Sequence, residues 1–211
     1  MSSIRHFCVW DTETTGLDPD KGHEIVQIAA KALNYFDLAD HHAGEFTVLI
    51  KPQHPELADP EALAVIGPLF DRAMKEGLDP KTALQAYLDW VQKLNHQNKV
   101  MSKPVLVGQH TKFDVKHIVA ALKKNGMWTS EDDLPWASNL HIDLQQWAFG
   151  FFESDPNVEN FRLDTMNRVM NIKGRKDKTH DALEDVRLEA EHLRRYMTFN
   201  RKCRKMMMIK G

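Results

Sequence analysis

The sequence has little of what a secreted or membrane protein relies on. Cysteine occurs only twice among 211 residues, which excludes a fold held together by a disulfide framework. No apolar run approaches the roughly 20 residues that a membrane-spanning helix needs, and the N-terminus has no apolar signal-peptide core. We therefore expect a soluble protein of the reducing cytoplasm that has no membrane partner.

An excess of one charge is also missing. The 28 Lys and Arg residues nearly balance the 30 Asp and Glu residues, so the net charge is only −2. A polyanionic partner would have to be bound by a local basic surface, because the overall charge would not attract it. Repeats, low-complexity tracts and Pro- or Ser-rich linkers are absent as well. We expect one domain over residues 1–200, followed by a basic C-terminal tail over residues 201–211.

What the sequence does contain, near its start, is a strand that ends in two carboxylates. The residues up to Trp10 alternate as in a buried strand, and Asp11 and Glu13 follow at positions i and i+2, on one face of an extended chain. Two buried like charges are costly unless a cation lies between them, so the pair favours a divalent metal site. Alone, the pair is also consistent with a polar strand end before a turn at Gly16.

The next segments predict further strands. Residues 24–34 and 43–51 are apolar, β-prone runs that form an antiparallel meander with the first strand, and His41 and His42 are expected in the solvated loop between them. Residues 104–108 form a short, continuous apolar run typical of a strand covered on both faces. A last strand is expected near residues 140–144, running into a helix.

Two other carboxylates stand where they could complete a site. Asp114 lies in the first turn of the helix after residues 104–108, at the strand end where open α/β sheets bind ligands. An acid there also suits a helix N-terminus for capping and dipole reasons. Asp185 borders the buried side of the last long helix, which is predicted to start near His180. Five residues span about 140° of helix, so His180 must stand on the loop or a frayed turn if both serve one site.

These segments could bring four carboxylates together. Ligation by oxygen alone suits Mg²⁺ or Mn²⁺, and two such ions about 3.5–4 Å apart are a known solution for displacement at phosphorus. A histidine beside the cluster can deprotonate the attacking water. The constellation predicts phosphodiester hydrolysis.

Three motifs together resemble the DnaQ-like, or DEDDh, 3′-to-5′ exonucleases of the ribonuclease H-like fold. Residues 11–17 (DTETTGL) match the first motif, Phe113-Asp114 the second and residues 180–185 (HDALED) the third, with the His-x4-Asp spacing of the histidine subclass. Their order and separations fit across residues 4–197. The resemblance implies an α/β fold with a mixed five-stranded sheet, an antiparallel meander plus parallel strands, flanked by helices.

The resemblance also implies roles for particular residues. The ligands of two Mg²⁺ or Mn²⁺ ions would be Asp11, Glu13, Asp114 and Asp185, and His180 would be the general base. The residues expected to bind the 3′-terminal nucleotide are Thr12, Thr14, Thr15, Gly16, Leu17, Ile66, His110 and Phe113. One departure is that the family commonly has His-Asn where this chain has Gln109-His110. His110 could replace the asparagine as a hydrogen-bonding group, although it is bulkier and titrates.

The expected function is a metal-dependent 3′-to-5′ exonuclease acting on single-stranded DNA, in proofreading or end trimming, with a polymerase or replication protein as a candidate partner. The alternatives are an RNA exonuclease resembling ribonuclease T or oligoribonuclease, and an inactive fold kept as a nucleic-acid-binding or assembly module. Basic candidates for the nucleic-acid backbone are Lys112, Lys116, Arg175, Lys176 and Lys178, the last three also reading as a solvated loop. Aromatic candidates for base stacking or core packing are Trp147, Phe149, Phe151 and Phe152.

Overall fold

Five strands form one mixed sheet in the computed structural model, which describes residues 5–95, 102–175 and 180–208. In chain order the strands are β1 (Phe7–Thr14), β2 (Ile25–Leu33), β3 (Asp40–Leu49), β4 (Val105–Gly108) and β5 (His141–Asp143). Their order across the sheet is β3-β2-β1-β4-β5, with β2 antiparallel to β1 and β3, and β4 parallel to β1 and β5. The predicted mixed sheet is confirmed, and β1 lies at its centre.

Helices flank this sheet, and two of them begin at clear sequence signals. The helices are α1 (Pro60–Ile66), α2 (Pro68–Glu76), α3 (Pro80–Gln92), α4 (Thr111–Lys124), α5 (Leu144–Phe152), α6 (Leu163–Val169) and α7 (Ala182–Met208). The side chains of Asp59 and Asp79 accept hydrogen bonds from the N–H groups of Glu61 and Thr82, and proline follows each cap. Within the described part of the chain, no helix is both long and apolar enough to cross a membrane.

The two faces of β1 pack against different helices. Cys8 and Trp10 belong to a core that includes residues of α3 and α4, whereas Phe7 and Val9 belong to a core that includes residues of α7. Because side chains alternate along a strand, Asp11 continues the row that faces α7. The end of β1 therefore presents its carboxylates to α7.

The hairpin between β2 and β3 is tighter than the sequence suggests. The N–H of Asn34 donates to the carbonyl of Ala39, and Leu38 adopts a left-handed backbone with φ 60°. Because the turn closes within these residues, β3 begins directly after it, and His41 and His42 lie in the strand. The predicted solvated loop is wrong at this pair, and the His41 side chain is buried.

The last helix is longer than its apolar stripe predicts. It runs without a break past residue 200 to Met208, so residues 201–208 of the expected tail are helical. The guanidinium of Arg201 donates to the carbonyls of Phe36 and Tyr35 at 2.5 and 2.6 Å. These bonds attach the end of α7 to the β2–β3 hairpin, which explains why the helix continues there.

Candidate active site

Three predicted residues meet at the end of β1, on the α7 side of the sheet. Nδ1 of His180 lies 3.5 Å from Oδ2 of Asp185 and 3.9 Å from Oε1 of Glu13. One potential ligand atom from each residue lies within 4.8 Å of the other two. The fold therefore brings a strand end, a helix start and the segment before that helix to one point.

Asp114 joins the cluster from the other side of the sheet. It stands in the first turn of α4 and is 2% exposed. Both the backbone N–H and the hydroxyl of Thr12 donate to its Oδ1, at 3.1 and 2.7 Å. Thr12 points to the α4 side because it alternates with Asp11 and Glu13 along β1. Its hydroxyl thus holds a carboxylate, a role that its place in the nucleotide-binding motif did not indicate.

Glu189 adds a carboxylate that was not among the predicted site residues. It lies one helical turn after Asp185 on α7 and is 2% exposed. Its Oε1 accepts the N–H of Gln109 at 2.9 Å, whereas its buried Oε2 has no hydrogen-bond partner among the described residues. The spacing of four from Asp185 is a sequence signal that could have identified it, because such residues share one helix face.

Burial and crowding make this cluster costly without a cation. Burial, followed by the charges of Asp114 and Glu13, raises the pKa of Asp11 well above its ordinary value. Burial raises the pKa of Glu13 to about 8, although His180 opposes the shift. Burial likewise raises the pKa of Asp114 to about 7, against the hydrogen bonds from Thr12.

The donor set fits a hard divalent ion. Carboxylate oxygens are the ligands that Mg²⁺ and Mn²⁺ prefer. Oε1 of Glu13 is buried and has no hydrogen-bond partner within the described chain. A buried acceptor left without a donor is costly, and a metal ion at this position would satisfy it. Asp11, Glu13, Asp114 and Asp185 are the residues that could hold such ions.

His180 stands on the short segment before α7, which begins at Ala182. Its backbone N–H donates to the carbonyl of Val65 in α1 at 3.3 Å, and its side chain is 37% exposed. A hydrogen bond with Asp185, together with the charge of Glu13, raises its pKa against the effect of burial. His180 is therefore oriented by carboxylates while part of the ring remains open to solvent.

Gln27 on β2 connects this segment to the sheet. Its side-chain carbonyl accepts the N–H of Ala182 at 2.9 Å, and its amide nitrogen donates to Asp181 at 3.4 Å. Gln27 lies directly opposite Glu13 in the β1–β2 ladder. It joins the start of α7 to β2 across more than 150 residues of sequence, so no local pattern could have revealed it.

Arg175 also lies inside the site, although its basic run reads as an exposed loop. Its side chain is 9% exposed and forms ion pairs with Asp185 and Asp164. Lys176 and Lys178, the other candidates in this run, lie outside the described residues. Lys112 is exposed in the first turn of α4. Lys116 pairs with Asp18 and Asp20 at 2.7 and 3.2 Å, which compensates its charge.

A cavity of about 330 Å³ opens beside the carboxylates. The predicted nucleotide-binding residues that line it are Thr12, Thr14, Gly16, Leu17, Ile66 and Phe113. Leu17 is 76% exposed at this cavity and is free to touch a ligand. The ring of His117 lies between the carbonyls of Gly16 and Phe113, at 3.2 and 3.1 Å. This contact ties the turn after β1 to α4.

Two predicted binding residues fall outside the lining. Thr15 is buried, and its hydroxyl accepts the N–H of Glu24 at 2.8 Å. His110 is exposed, with a left-handed backbone at φ 56°, and its N–H donates to Asp143 at 3.2 Å. Gln109 lines the cavity instead. The departure from His-Asn therefore places an amide side chain, not an imidazole, at the cavity.

The aromatic candidates for base stacking pack elsewhere. Trp147 and Phe152 pack against the core formed with α7. Phe151 stacks on Tyr196 with ring centroids 5.1 Å apart, and Phe149 contacts the edge of Phe161 at 5.5 Å. Among the described residues that line the cavity, none is one of these four candidates. Trp147 and Phe152 therefore serve packing, whereas Phe149 and Phe151 make these ring contacts at the surface, where they are 58% and 38% exposed.

Sequence comparisons relate this chain to an exonuclease family and to forms of DNA polymerase III. The family described as exonuclease, RNase_T, matches residues 8–193. Subunit epsilon of DNA polymerase III from Rickettsia prowazekii is 28% identical over 199 residues, which cover 90% of this chain and 73% of that protein. The PolC-type DNA polymerase III of Listeria monocytogenes is 26% identical over 167 residues, which are 79% of this chain and 10% of that protein.

Solved structures share the fold. Exonuclease I of E. coli, in complex with a dT13 oligonucleotide, superposes with a TM-score of 0.71 at 18% identity, covering 97% of this chain and 43% of that one. The nuclease domain of 3′hExo, a DEDDh family member bound to rAMP, gives a TM-score of 0.70 at 17% identity, covering 93% of this chain and 94% of that one. The chain thus spans less than half of exonuclease I and a tenth of PolC.

Proposed function

Because the chain belongs to the exonuclease family, as a member of its DnaQ-like (DEDDh) 3′-to-5′ branch, we propose that it removes nucleotides from the 3′ ends of nucleic acids, with single-stranded DNA as the favoured substrate. The observation that carries the proposal is the convergence of Glu13, His180 and Asp185 in one cavity. A degenerate binding module would have no need to keep so costly a cluster.

Two Mg²⁺ or Mn²⁺ ions would be held by Asp11, Glu13, Asp114 and Asp185. The raised pKa values of Asp11, Glu13 and Asp114 support this assignment, as does Oε1 of Glu13, which has no hydrogen-bond partner within the described chain, because a divalent ion relieves both the repulsion and the missing hydrogen bond. When bound, the ions would activate a water molecule and stabilise the leaving oxygen.

His180 is the proposed general base. Its Nδ1 faces Asp185 and Glu13, which orient the ring and favour the protonated form that results when it takes a proton from water. The raised pKa of His180 also sets a lower pH limit. Below this pKa the ring is already protonated and cannot accept the proton, so the rate should fall as pH decreases through it.

The 3′-terminal nucleotide is proposed to lie between the turn after β1 and the start of α4. Leu17, Ile66 and Phe113 supply apolar surface to the cavity, suited to a base or sugar. The carbonyl of Gly16 and the ring of Phe113 are held in place by His117. In this position the terminal nucleotide would lie beside the carboxylates, which line the same cavity.

DNA is favoured over RNA because the relatives found by sequence are a subunit and a form of DNA polymerase III. A neighbour in fold bound to rAMP keeps RNA as the second candidate. A polymerase partner and a cytoplasmic setting belong to the same proposal, and the free thiols of Cys8 and Cys203 support the latter.

Digestion of matched DNA and RNA oligomers of one sequence, with Mg²⁺ and with EDTA, tests this function. We expect mononucleotide release from both or from DNA alone, faster from DNA, and abolished by EDTA. Faster release from RNA would overturn the DNA preference. Failure to release nucleotides from either substrate would overturn the nuclease assignment, provided that circular dichroism shows the protein to be folded.

A further inference from the structure

The guanidinium of Arg175 is fully engaged by two carboxylates at the site. Nε donates to Oδ1 of Asp185 at 2.5 Å, and Nη2 donates to Oδ2 at 2.7 Å. Nη1 donates to Oδ1 of Asp164 at 2.6 Å. The side chain of Asp185 is 6% exposed and that of Asp164 is 70% exposed. Arg175 therefore spans the distance from the buried cluster to solvent.

This arrangement uses both oxygens of a carboxylate that a metal ion would need. A planar guanidinium covers the two oxygens at once. A divalent ion bound to the same oxygens would be in contact with a second cation, and repulsion between like charges is strong in a buried site. Arg175 and an ion at Asp185 therefore compete for one position.

The two anchors of Arg175 differ in strength. The fork on Asp185 is buried, whereas the contact with Asp164 is on the surface, where ion pairs are weak and easily rearranged. Asp164 lies in the first turn of α6, next to Leu163, which lines the cavity. A guanidinium that left Asp185 but stayed near Asp164 would stand at the cavity edge.

We propose that, without metal, the guanidinium of Arg175 occupies the place beside Asp185 where a metal ion would bind. Binding of the ion then displaces the guanidinium. On release, its guanidinium turns to the phosphates of the incoming strand, for which a bidentate donor is well suited. The phosphate contact rests on the proposed nuclease function, whereas the exchange does not. The ion at Asp185 is thereby bound more weakly than the bare carboxylates would allow, because it must displace the arginine.

The opposite arrangement makes the opposite prediction. If Arg175 stayed on Asp185 and only oriented it for the metal, as outer partners of metal ligands do, its removal would weaken metal binding. If Arg175 is exchanged, its removal strengthens metal binding. The sign of the change therefore separates the two roles.

Calorimetric titration of Mn²⁺ into the metal-free protein, without nucleic acid, measures this sign. We expect Arg175→Gln to bind one of the ions roughly tenfold more tightly than the wild type. Arg175→Lys should fall between them, because it keeps the charge but cannot cover both oxygens. The matched control is Arg168→Gln, since Arg168 pairs with exposed Glu159 and its loss should leave the affinity unchanged. Equal or weaker binding by Arg175→Gln would overturn the exchange.

Binding of a phosphorothioate oligonucleotide in the presence of Mn²⁺, followed by fluorescence anisotropy, tests the proposed contact of Arg175 with phosphate. Arg175→Gln should bind it several-fold more weakly than the wild type and Arg168→Gln, and unchanged affinity would refute the phosphate contact. The Mn²⁺ titration needs no substrate. It would therefore test the exchange of Arg175 for metal even if the protein digested neither DNA nor RNA. Failure of the nuclease function and failure of the exchange are thus distinguishable.

Discussion

Asp114 and Asp185 serve the same cluster but are held in opposite ways. Asp114 is fixed by neutral donors from Thr12, and burial raises its pKa. Asp185 is buried too, yet hydrogen bonds from His180 and Arg175 outweigh burial and lower its pKa. One carboxylate is positioned without its charge being compensated, and the other is already paired with cations. The carboxylate on the α4 side is therefore held by fixed hydrogen bonds, whereas the carboxylate on the α7 side has cationic partners that can be exchanged.

The largest effects are expected from neutralising each of these two carboxylates. Asp114→Asn and Asp185→Asn should each lower hydrolysis by roughly 10³-fold or more, because each removes a proposed metal ligand. In the metal-free protein, however, the two substitutions should shift the melting temperature in opposite directions. Asp114→Asn removes a buried charge that no cation pairs, whereas Asp185→Asn leaves Arg175 without its buried partner and should lower the melting temperature. Thermal unfolding in EDTA measures both, and equal shifts would show that the two sides do not differ.

Removing the proposed base should have the next largest effect. His180→Ala should lower kcat by about 10²-fold, within the usual range for general-base catalysis, while Mn²⁺ still binds. The wild-type rate should fall as pH drops through the raised pKa of His180, and the residual rate of the variant should lack that limb. A variant that keeps the same pH profile would assign the base to another group.

A smaller effect is expected from Gln27, which positions the α7 side without touching substrate. Gln27→Met keeps the length of the side chain but loses the bonds to Asp181 and Ala182, so kcat should fall by about tenfold, the value of one well-made hydrogen bond. Combined with His180→Ala, it should add little further loss, because both act through one group. The matched control is Thr47→Val, which removes another contact of Gln27. Additive losses in the double variant would contradict the positioning role.

The smallest expected effect is a change in folding stability with pH. The folded pKa values of Glu13, about 8, and Asp114, about 7, lie above those of unfolded carboxyl groups near 4. Raised carboxyl pKa values stabilise the fold at low pH, and this stabilisation is lost as pH rises from about 4 through 8. The metal-free protein should therefore unfold more easily at pH 8 than at pH 5. Saturating Mn²⁺ should reduce the slope, and an equal slope with and without the ion would contradict a metal site at these residues.

Local patterns predicted much of the fold and several features of the site. The i, i+2 spacing put Asp11 and Glu13 on one face because strand side chains alternate. The helical angle required His180 to stand off the last helix, and α7 does begin after it, at Ala182. The predicted family, the mixed sheet and the exonuclease assignment are confirmed.

Other features depend on contacts that no local pattern encodes. Arg175 stands in a charged run that is typical of a solvated loop, and only its tertiary contact with Asp185 on α7 shows that its guanidinium belongs to the site. The sequence around Gln27 is that of an ordinary strand, and only the packing of α7 across β2 gives its side chain a role. His110 was expected to bind the nucleotide in place of the family's asparagine, but it has a left-handed backbone and lies outside the cavity lining, which includes Gln109. Tertiary packing, and not propensity, decides each of these positions.

Hydrolysis of nucleic acid from its 3′ end is the function that we propose for the carboxylates at the end of β1. Its most direct test compares 3′-labelled and 5′-labelled single-stranded DNA, digested by the wild type and by Asp11→Asn over a series of Mg²⁺ concentrations. We predict that the 3′ label is released as mononucleotide from the earliest times, that the 5′-labelled strand shortens stepwise, and that Asp11→Asn does neither. Release of the 5′ label first, internal cleavage, or full activity of Asp11→Asn would contradict this function.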